Sequence, residues 1–264
     1  MASKISVIIP VLNEASNIGK LLEHLIAKGS SRQLAEIIVV DGGSTDDTAQ
    51  IVQSFSDVHS SNSKKAFYFI NNKVPNKTNT GNPLKADIIL LKSKKGRAKQ
   101  MNWGAKHAQG DILYFLHADS FPPMHFDRLI VKEIKKGHLA GCFRMQFDHH
   151  HWWLRLASWF TQFNWRACRG GDQSQFITKN LFNNIGGFDE TFSIYEDIIF
   201  INELYKRKQF TVINKKLKTS ARMYREHGIW KLQYLYWAIY AKRWLGANAQ
   251  ELYRFYQKYI SVKN

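Results

Sequence analysis

Cysteine is scarce: Cys142 and Cys168 are the two in 264 residues. A disulfide framework is not expected, and two reduced, mostly inert thiols are. Long apolar runs are missing as well. No stretch reaches the roughly 18 consecutive apolar residues that a bilayer-spanning helix needs. The opening segment MASKISVIIP lacks the charged, apolar and small-residue order of a secretory signal, so a cytoplasmic location is expected. Acidic residues are the minority charge, 21 against 38 Lys and Arg, for a net charge of +17. That balance suits a nucleic acid, an anionic membrane surface or a phosphorylated substrate, and is also compatible with mere solubility. No nucleic-acid-binding motif accompanies the charge, which argues against the first.

What is present alternates strand and helix. The runs Ile5 to Val11, Ile37 to Val40, Ile88 to Leu91 and Asp111 to Leu116 read as strands. Between them, Ala15 to Lys28, a segment from Ser44 or Thr45 through Phe55, and Arg97 to Ala108 read as helices. This order predicts a mostly parallel central sheet flanked by helices. Residues 56–85 are rich in Ser, Asn, Lys and Thr and predict a surface insertion, with a short strand at Ala66 to Ile70. Further on, Leu139 to Phe147 predicts a strand. His151 to Phe163 and Glu196 to Lys208 predict helices, and Ile229 to Ile260 is helical by composition.

Ligands of open α/β sheets bind beyond the carboxyl ends of the strands. Three strands deliver carboxylates there, in Pro10-Val11-Leu12-Asn13-Glu14, in Asp41-Gly42-Gly43-Ser44-Thr45-Asp46 and in His117-Ala118-Asp119. Helix or turn capping accounts well for Asp46 and Asp47. It accounts poorly for Asp119, because Pro122 and Pro123 delay the next helix.

The segments VIIPVLNEASNI, IIVVDGGSTDDT, GRAKQMNWGA, GDILYFLHADS and IGGFDETFSIYEDI resemble, in order, the motifs of family 2 glycosyltransferases. GRAxQMN, HAD in place of DxD, and GDQ further resemble a small bacterial subgroup linked to arsenosugar biosynthesis. The resemblance implies a GT-A fold over residues 1–222 with a helical C-terminal extension at 223–264. It implies an inverting transfer of a sugar from a nucleoside-diphosphate donor, a UDP-sugar before a GDP-sugar, to a hydroxyl acceptor the sequence does not name.

Site roles follow from the same resemblance. Asp41 would accept from the nucleotide base, with Pro10, Leu12, Asn13, Glu14, Gly43 and Ala118 around base and ribose. Gly96 and Arg97 open a helix beside the donor, where Arg97 would meet the pyrophosphate. Asp119 would hold Mg²⁺ or Mn²⁺ against the diphosphate. His117 stands where the first Asp of DxD is expected, as a ligand, a phosphate contact or a space-filler. Asp197 would be the general base, although Glu196 and Asp197 also suit a helix N-terminus. Asp172, Gln173 and Glu196 are expected to line the acceptor or sugar pocket. His227 stands where some relatives complete a metal site, and His149 to His151 read as a solvated turn.

Two other classes compete with this reading. A nucleotidyltransferase of similar topology would carry a Gly-rich, basic loop after the first strand, and here that exit reads PVLNE. A nucleic-acid-binding module leaves the acidic strand ends unexplained. Finally, two segments combine aromatic and basic residues. Trp152, Trp153, Trp159 and Trp165 alternate with Arg155, Arg166 and Arg169. Trp230, Tyr234, Trp237, Tyr240 and Trp244 alternate with Lys231, Lys242 and Arg243. Burial of these stripes is the expected outcome, and peripheral binding to an anionic inner-membrane surface the alternative.

Overall fold

The first strand, β1 (Ile5–Val11), is apolar on both faces and almost wholly buried, as a central parallel strand between helical layers must be. It leads into α1 (Ala15–Lys28), whose Ile18, Leu21, Leu22 and Leu25 recur at helical spacing and are buried. The chain continues through β2 (Leu34–Asp41), α2 (Thr48–His59), β3 (Asp87–Lys92), α3 (Arg97–His107) and β4 (Ile112–Phe115). The structure is a computed structural model that describes residues 3–30, 32–59 and 86–260. The strand expected at Ala66 to Ile70, and the insertion around it from residue 60 on, lie outside the described residues. Residues 56–59 complete α2.

The second half holds β5 (Ser120–Phe121), α4 (Phe126–Lys135), β6 (Ala140–Phe147), α5 (Trp152–Phe160), β7 (Gln175–Thr178), α6 (Lys179–Ile185), α7 (Glu196–Lys206), β8 (Phe210–Thr219), α8 (Arg222–His227), α9 (Ile229–Trp244) and α10 (Ala249–Tyr259). One sheet runs in the order β3-β2-β1-β4-β7-β6-β8-β5. β1 pairs parallel with β2 and β4, and β2 with β3. β7 then enters antiparallel beside β4 and β6, while β6 and β8 run parallel. The sheet is therefore mixed, parallel where the donor motifs lie.

Successive residues of a strand face opposite sides. Ile5, Val7 and Ile9 join a core with α1, α2 and α4, including Leu22, Val52 and Phe126. Ile8 joins the opposite core with Met101, Phe115 and Phe200. The two layers hold the carboxyl ends of β1, β2 and β4 at one edge.

Several boundaries differ from expectation. α2 starts at Thr48, and Asp46 rather than Ser44 or Thr45 accepts from its first amide, Thr48 N, at 3.0 Å. Ser44 instead donates through its hydroxyl to Asp41, at 2.5 Å. α5 ends at Phe160, three residues early. The C-terminal helix breaks after Trp244, because Asn248 and Glu251 form a reciprocal cap that starts α10.

Candidate active site

The carboxyl edge is assembled by side chains that stitch neighbouring strands. Gln100 of α3 is buried and donates to the carbonyls of Val11 at 2.8 Å and Val40 at 2.7 Å, tying the ends of β1 and β2. Asn13 Oδ1 accepts from Thr45 N at 2.8 Å, and Asn13 N donates to Ser44 Oγ at 2.9 Å. Asp41 is buried beneath this crossing, with Oδ1 accepting from Ser44. Asn102 exchanges hydrogen bonds with the backbone of Phe188, at 2.9 Å each way. That fixes α3 to the loop that precedes α7.

Arg97, the first residue of α3, reaches both acidic residues that open α7. Its Nε donates to Glu196 Oε1, and its Nη2 lies 2.8 Å from Asp197 Oδ2. The latter contact is an ion pair without hydrogen-bond alignment, so the buried Oδ2 has no hydrogen-bond donor. Burial pushes the Asp197 carboxyl above its ordinary value; Arg97 pulls it back and Asp172 adds to the rise. Glu196 is raised by burial in the same way, against the pull of Arg97. Gly171 packs directly on this pair, and a methyl group there would strike Asp197 Oδ2.

Across from the pair stand His117 and Asp119, after β4. His117 Nε2 lies 3.1 Å from the Gly171 carbonyl. A carbonyl only accepts, so Nε2 carries the proton and Nδ1 keeps its lone pair in the neutral ring. Burial and the charge of Arg97 lower the His117 pKa and favour that neutral form. Asp119 makes no hydrogen bond among the described residues. Burial raises its carboxyl, opposed by His117 and reinforced by Asp172 and Glu14. Asp172 is exposed to solvent on the 3₁₀ turn Gly171–Gln173 and lies within electrostatic reach of Arg97, His117, Asp119 and Asp197.

Among the described residues no three metal-binding side chains converge. A cation here would draw on Asp119, with His117 Nδ1 as a second donor, and complete its shell from phosphate oxygens and water. Mg²⁺ and Mn²⁺ are bound in that way, by one or two protein groups plus substrate phosphates, so the residues fit the group. His227 does not join them in a ligand cluster; its Nε2 is buried without a hydrogen-bond partner.

Two expectations change, those for Gln173 and for the tryptophan stripes. Gln173 turns into the core, where Arg169 donates to its Oε1 at 2.7 Å and it donates to Cys168 O at 2.7 Å, so its side chain is unavailable to a substrate. Glu14 accepts from Asn17 at 2.6 Å and from Arg222 at 3.0 Å, which makes it a rim residue held by charge. Trp152, Trp159, Trp230, Trp237 and Trp244 are exposed rather than buried. Pro10, Leu12, Gly43, Gly96 and Ala118 sit along the β1, β2 and β4 exits and the start of α3.

Sequence reasoning missed Arg222. It follows β8 in a six-residue helix without a periodic signal, and lies within electrostatic reach of Asp119 as well as bonding Glu14. It also missed a wall of phenols from α8 to α10. Tyr224, Tyr236, Tyr240 and Tyr256 all lie within electrostatic reach of Asp172. A separate basic depression lined by Arg32, Arg128, Lys132, Lys135 and Lys136 holds no catalytic group. Arg32 precedes β2, which places it at the amino end of that strand, away from Asp41.

This arrangement can bind an anionic, base-bearing ligand along the strand ends and present a buried carboxylate beside it. Residues 6–208 match the family described as Glycosyl transferase family 2. The chain belongs to that family. Among curated relatives, this family 2 member is 30% identical over 118 residues to Glycosyltransferase AglE of Haloferax volcanii, covering 45% of this chain and 31% of that protein. It is 26% identical over 157 residues to the undecaprenyl-phosphate 4-deoxy-4-formamido-L-arabinose transferase of Sodalis glossinidius, covering 59% and 41%. The chain thus spans between about a third and two fifths of the length of these relatives.

Among solved structures, S. aureus TarS residues 1–349 in complex with UDP align with a TM-score of 0.58 at 19% identity, covering 83% of this chain and 60% of that one. The mannosyltransferase PcManGT from Pyrobaculum calidifontis, in complex with GDP-Man and Mn²⁺, aligns with a TM-score of 0.63 at 16% identity, covering 97% and 70%. These likenesses establish the GT-A fold. Family membership also decides against the nucleotidyltransferase reading.

Proposed function

We propose that this family 2 member catalyses an inverting transfer of a sugar from a nucleoside-diphosphate donor to a hydroxyl acceptor, with Asp197 as general base. The observation that carries the reading is the placement of Asp197, buried at the start of α7 and paired with Arg97. The donor lies along the exits of β1, β2 and β4. Ser44 gives its two shorter bonds to Asp41 Oδ1 and only a 3.3 Å bond to Oδ2, which leaves Oδ2 able to accept a base N–H. Arg222, within electrostatic reach of Asp119, and Arg97, within reach of His117, would meet the diphosphate. A bound Mg²⁺ or Mn²⁺, held by Asp119 and His117, would neutralise charge on the departing diphosphate.

Asp197 takes the acceptor proton as that oxygen attacks the anomeric carbon. A carboxyl raised by burial is a stronger base than an ordinary aspartate. Proteins of related fold are bound to UDP, UDP-GlcNAc or GDP-Man, which supports a UDP- or GDP-sugar donor, and we favour UDP. Asp172 and Glu196 border the acceptor side. The proposed location is cytoplasmic and peripheral to the inner membrane face. The name of the Sodalis relative, which includes a lipid phosphate, supports an acceptor reached there. We read residues 1–222 as the catalytic body and 223–264 as its helical extension.

The test is a donor screen on the purified chain with Mg²⁺ or Mn²⁺, scored for nucleoside diphosphate release. Release from one sugar nucleotide, lost in Asp197→Asn, is expected. Absence of release from every UDP- and GDP-sugar tried would overturn the reading.

A further inference from the structure

The solvent face of α9 is built the wrong way round for a water-exposed helix. Its buried stripe is ordinary: Leu232, Leu235 and Ile239. The opposite stripe, where charged residues normally stand, carries Trp230, Tyr234, Trp237 and Trp244 at helical spacing. These rings are not glancing exposures, since Tyr234 is 67% and Trp244 86% exposed. α5 repeats the pattern. Leu154 and Ser158 are buried while Trp152, Leu156 and Trp159 face outward. The two helices form one surface, with the ring centroids of Trp152 and Trp230 5.8 Å apart and those of Trp153 and Trp237 6.0 Å apart.

The two helices carry charge of one sign. Residues 149–171 and 227–250 contain no Asp or Glu, while Arg155, Lys231 and Lys242 are exposed on the same segments. We infer that the outward faces of α5 and α9 form a docking surface for an anionic lipid bilayer, on which the protein lies without inserting a span. Trp and Tyr place an apolar ring and a polar edge at the headgroup level. A helix with such a stripe flanked by Lys and Arg lies in the interfacial plane. Among the described residues no helix is long and apolar enough to cross a membrane. A second copy is a poorer occupant, because a two-fold contact would press these two cationic helices, which carry no carboxylate of their own, against themselves.

The surface reaches the candidate active site. Gln233 Oε1 accepts from Trp153 Nε1 at 3.0 Å and from Tyr224 OH at 3.3 Å, and Tyr224 belongs to the phenol wall near Asp172. A bilayer bound to the aromatic face thus lies against the acceptor side of the cleft. This consequence rests on the glycosyltransfer reading; the docking itself does not.

The experiment is vesicle sedimentation of the full chain, with phosphatidylcholine alone and with phosphatidylglycerol added, at low and high salt. The wild type is expected in the pellet with anionic vesicles at low salt. Replacing three exposed rings, Trp152→Ser, Trp237→Ser and Trp244→Ser together, is expected to lower partitioning at least about 10-fold. Nucleoside diphosphate affinity in that variant should stay within about twofold, since the three rings lie on α5 and α9 and the donor residues at the exits of β1, β2 and β4, and this also reports that it is folded. Wild type left in the supernatant overturns the proposal, as does a triple variant that pellets like the wild type. Concentration-dependent dimers without lipid that the same substitutions abolish would also overturn it and assign the face to self-association. Vesicle binding by a protein that binds no nucleoside diphosphate would keep the docking surface and remove the glycosyltransfer reading.

Discussion

Arg97 Nη2 stands 2.8 Å from Asp197 Oδ2, which links the residue that opens α3 to the one proposed as base. The contact does two things. It holds the carboxylate against Gly171, and it offsets part of the burial that would otherwise protonate it.

Asp197→Asn is expected to keep donor binding and lose transfer by about 10²–10⁴-fold, the usual contribution of a general base. The net effect of its surroundings is to disfavour the ionised form. The amide should therefore melt no lower than the wild type. Calorimetry with the nucleoside diphosphate, a thermal melt and a turnover assay check the three parts. Transfer within a few-fold of wild type removes Asp197 from the chemistry.

Arg97→Gln tests the electrostatics. The arginine charge favours ionised Asp197, so its removal raises the carboxyl further above its ordinary value. A base must be ionised to work. The acidic limb of kcat/KM is therefore expected to move to higher pH, with activity lost at a pH where the wild type still turns over. An unmoved limb, measured across the acid range, would show that Arg97 does not tune the base.

Asp119 and Asp41 should separate. Asp119→Ala is expected to weaken metal-dependent binding of the nucleoside diphosphate far more than binding of the bare nucleoside, because a cation there meets phosphate and not the base. Asp41→Ala should weaken the nucleoside itself. Titrations with and without EDTA distinguish them, and equal losses for both ligands in Asp119→Ala would make that residue structural.

Much of this edge was legible because its chemistry is local. A continuous apolar run followed by PVLNE or by DGGSTDD marks a buried parallel strand and its exit. The boundaries of β1 and α1 follow from those runs directly. Gln100 and Asn102 were visible only as motif letters, since their partners, Val11, Val40 and Phe188, lie far away in sequence. Arg222 and Gln173 were misread or missed for the same reason: one bond to Glu14 and one to Arg169 decide their roles. β8 escaped because exposed Asn214, Lys215 and Lys216 interrupt its apolar alternation. The Trp stripes show the limit most clearly. Helical spacing identifies a face but not which side of the helix the core takes, and Leu232, Leu235 and Ile239 took it.

Gly171→Ala probes the close packing at the base. The added methyl group meets a carboxylate fixed by Arg97, not the free end of a long side chain. Asp197 must shift, and misplacement of a catalytic group by about 1 Å costs on the order of 10²-fold. A loss of that order in kcat with nucleoside diphosphate affinity kept is expected, and wild-type kcat would show that the contact is slack.

Helix α9 touches Tyr195, the residue just before the acidic pair, through the ring of Tyr240. Tyr195 adopts a left-handed backbone, with φ of 74°, at the start of α7, a conformation that costs energy in a non-glycine residue and needs support. Tyr240 of α9 gives that support, with ring centroids 5.4 Å apart in an edge-on contact. Partial burial beside Tyr195 pushes the Tyr240 phenol up to about 12, although its outer edge is exposed, so it is neutral at working pH and acts as a ring. If Asp197 is the base, Tyr240 is expected to act as a positioning residue. Tyr240→Ala is expected to lower kcat about 10-fold, roughly the value of an aromatic pair, with little change in donor affinity. Tyr240→Phe keeps the ring and should restore kcat. Equal kcat for Tyr240→Ala and wild type would sever the extension from the base, and failure of the Phe variant to rescue would shift the role to the hydroxyl.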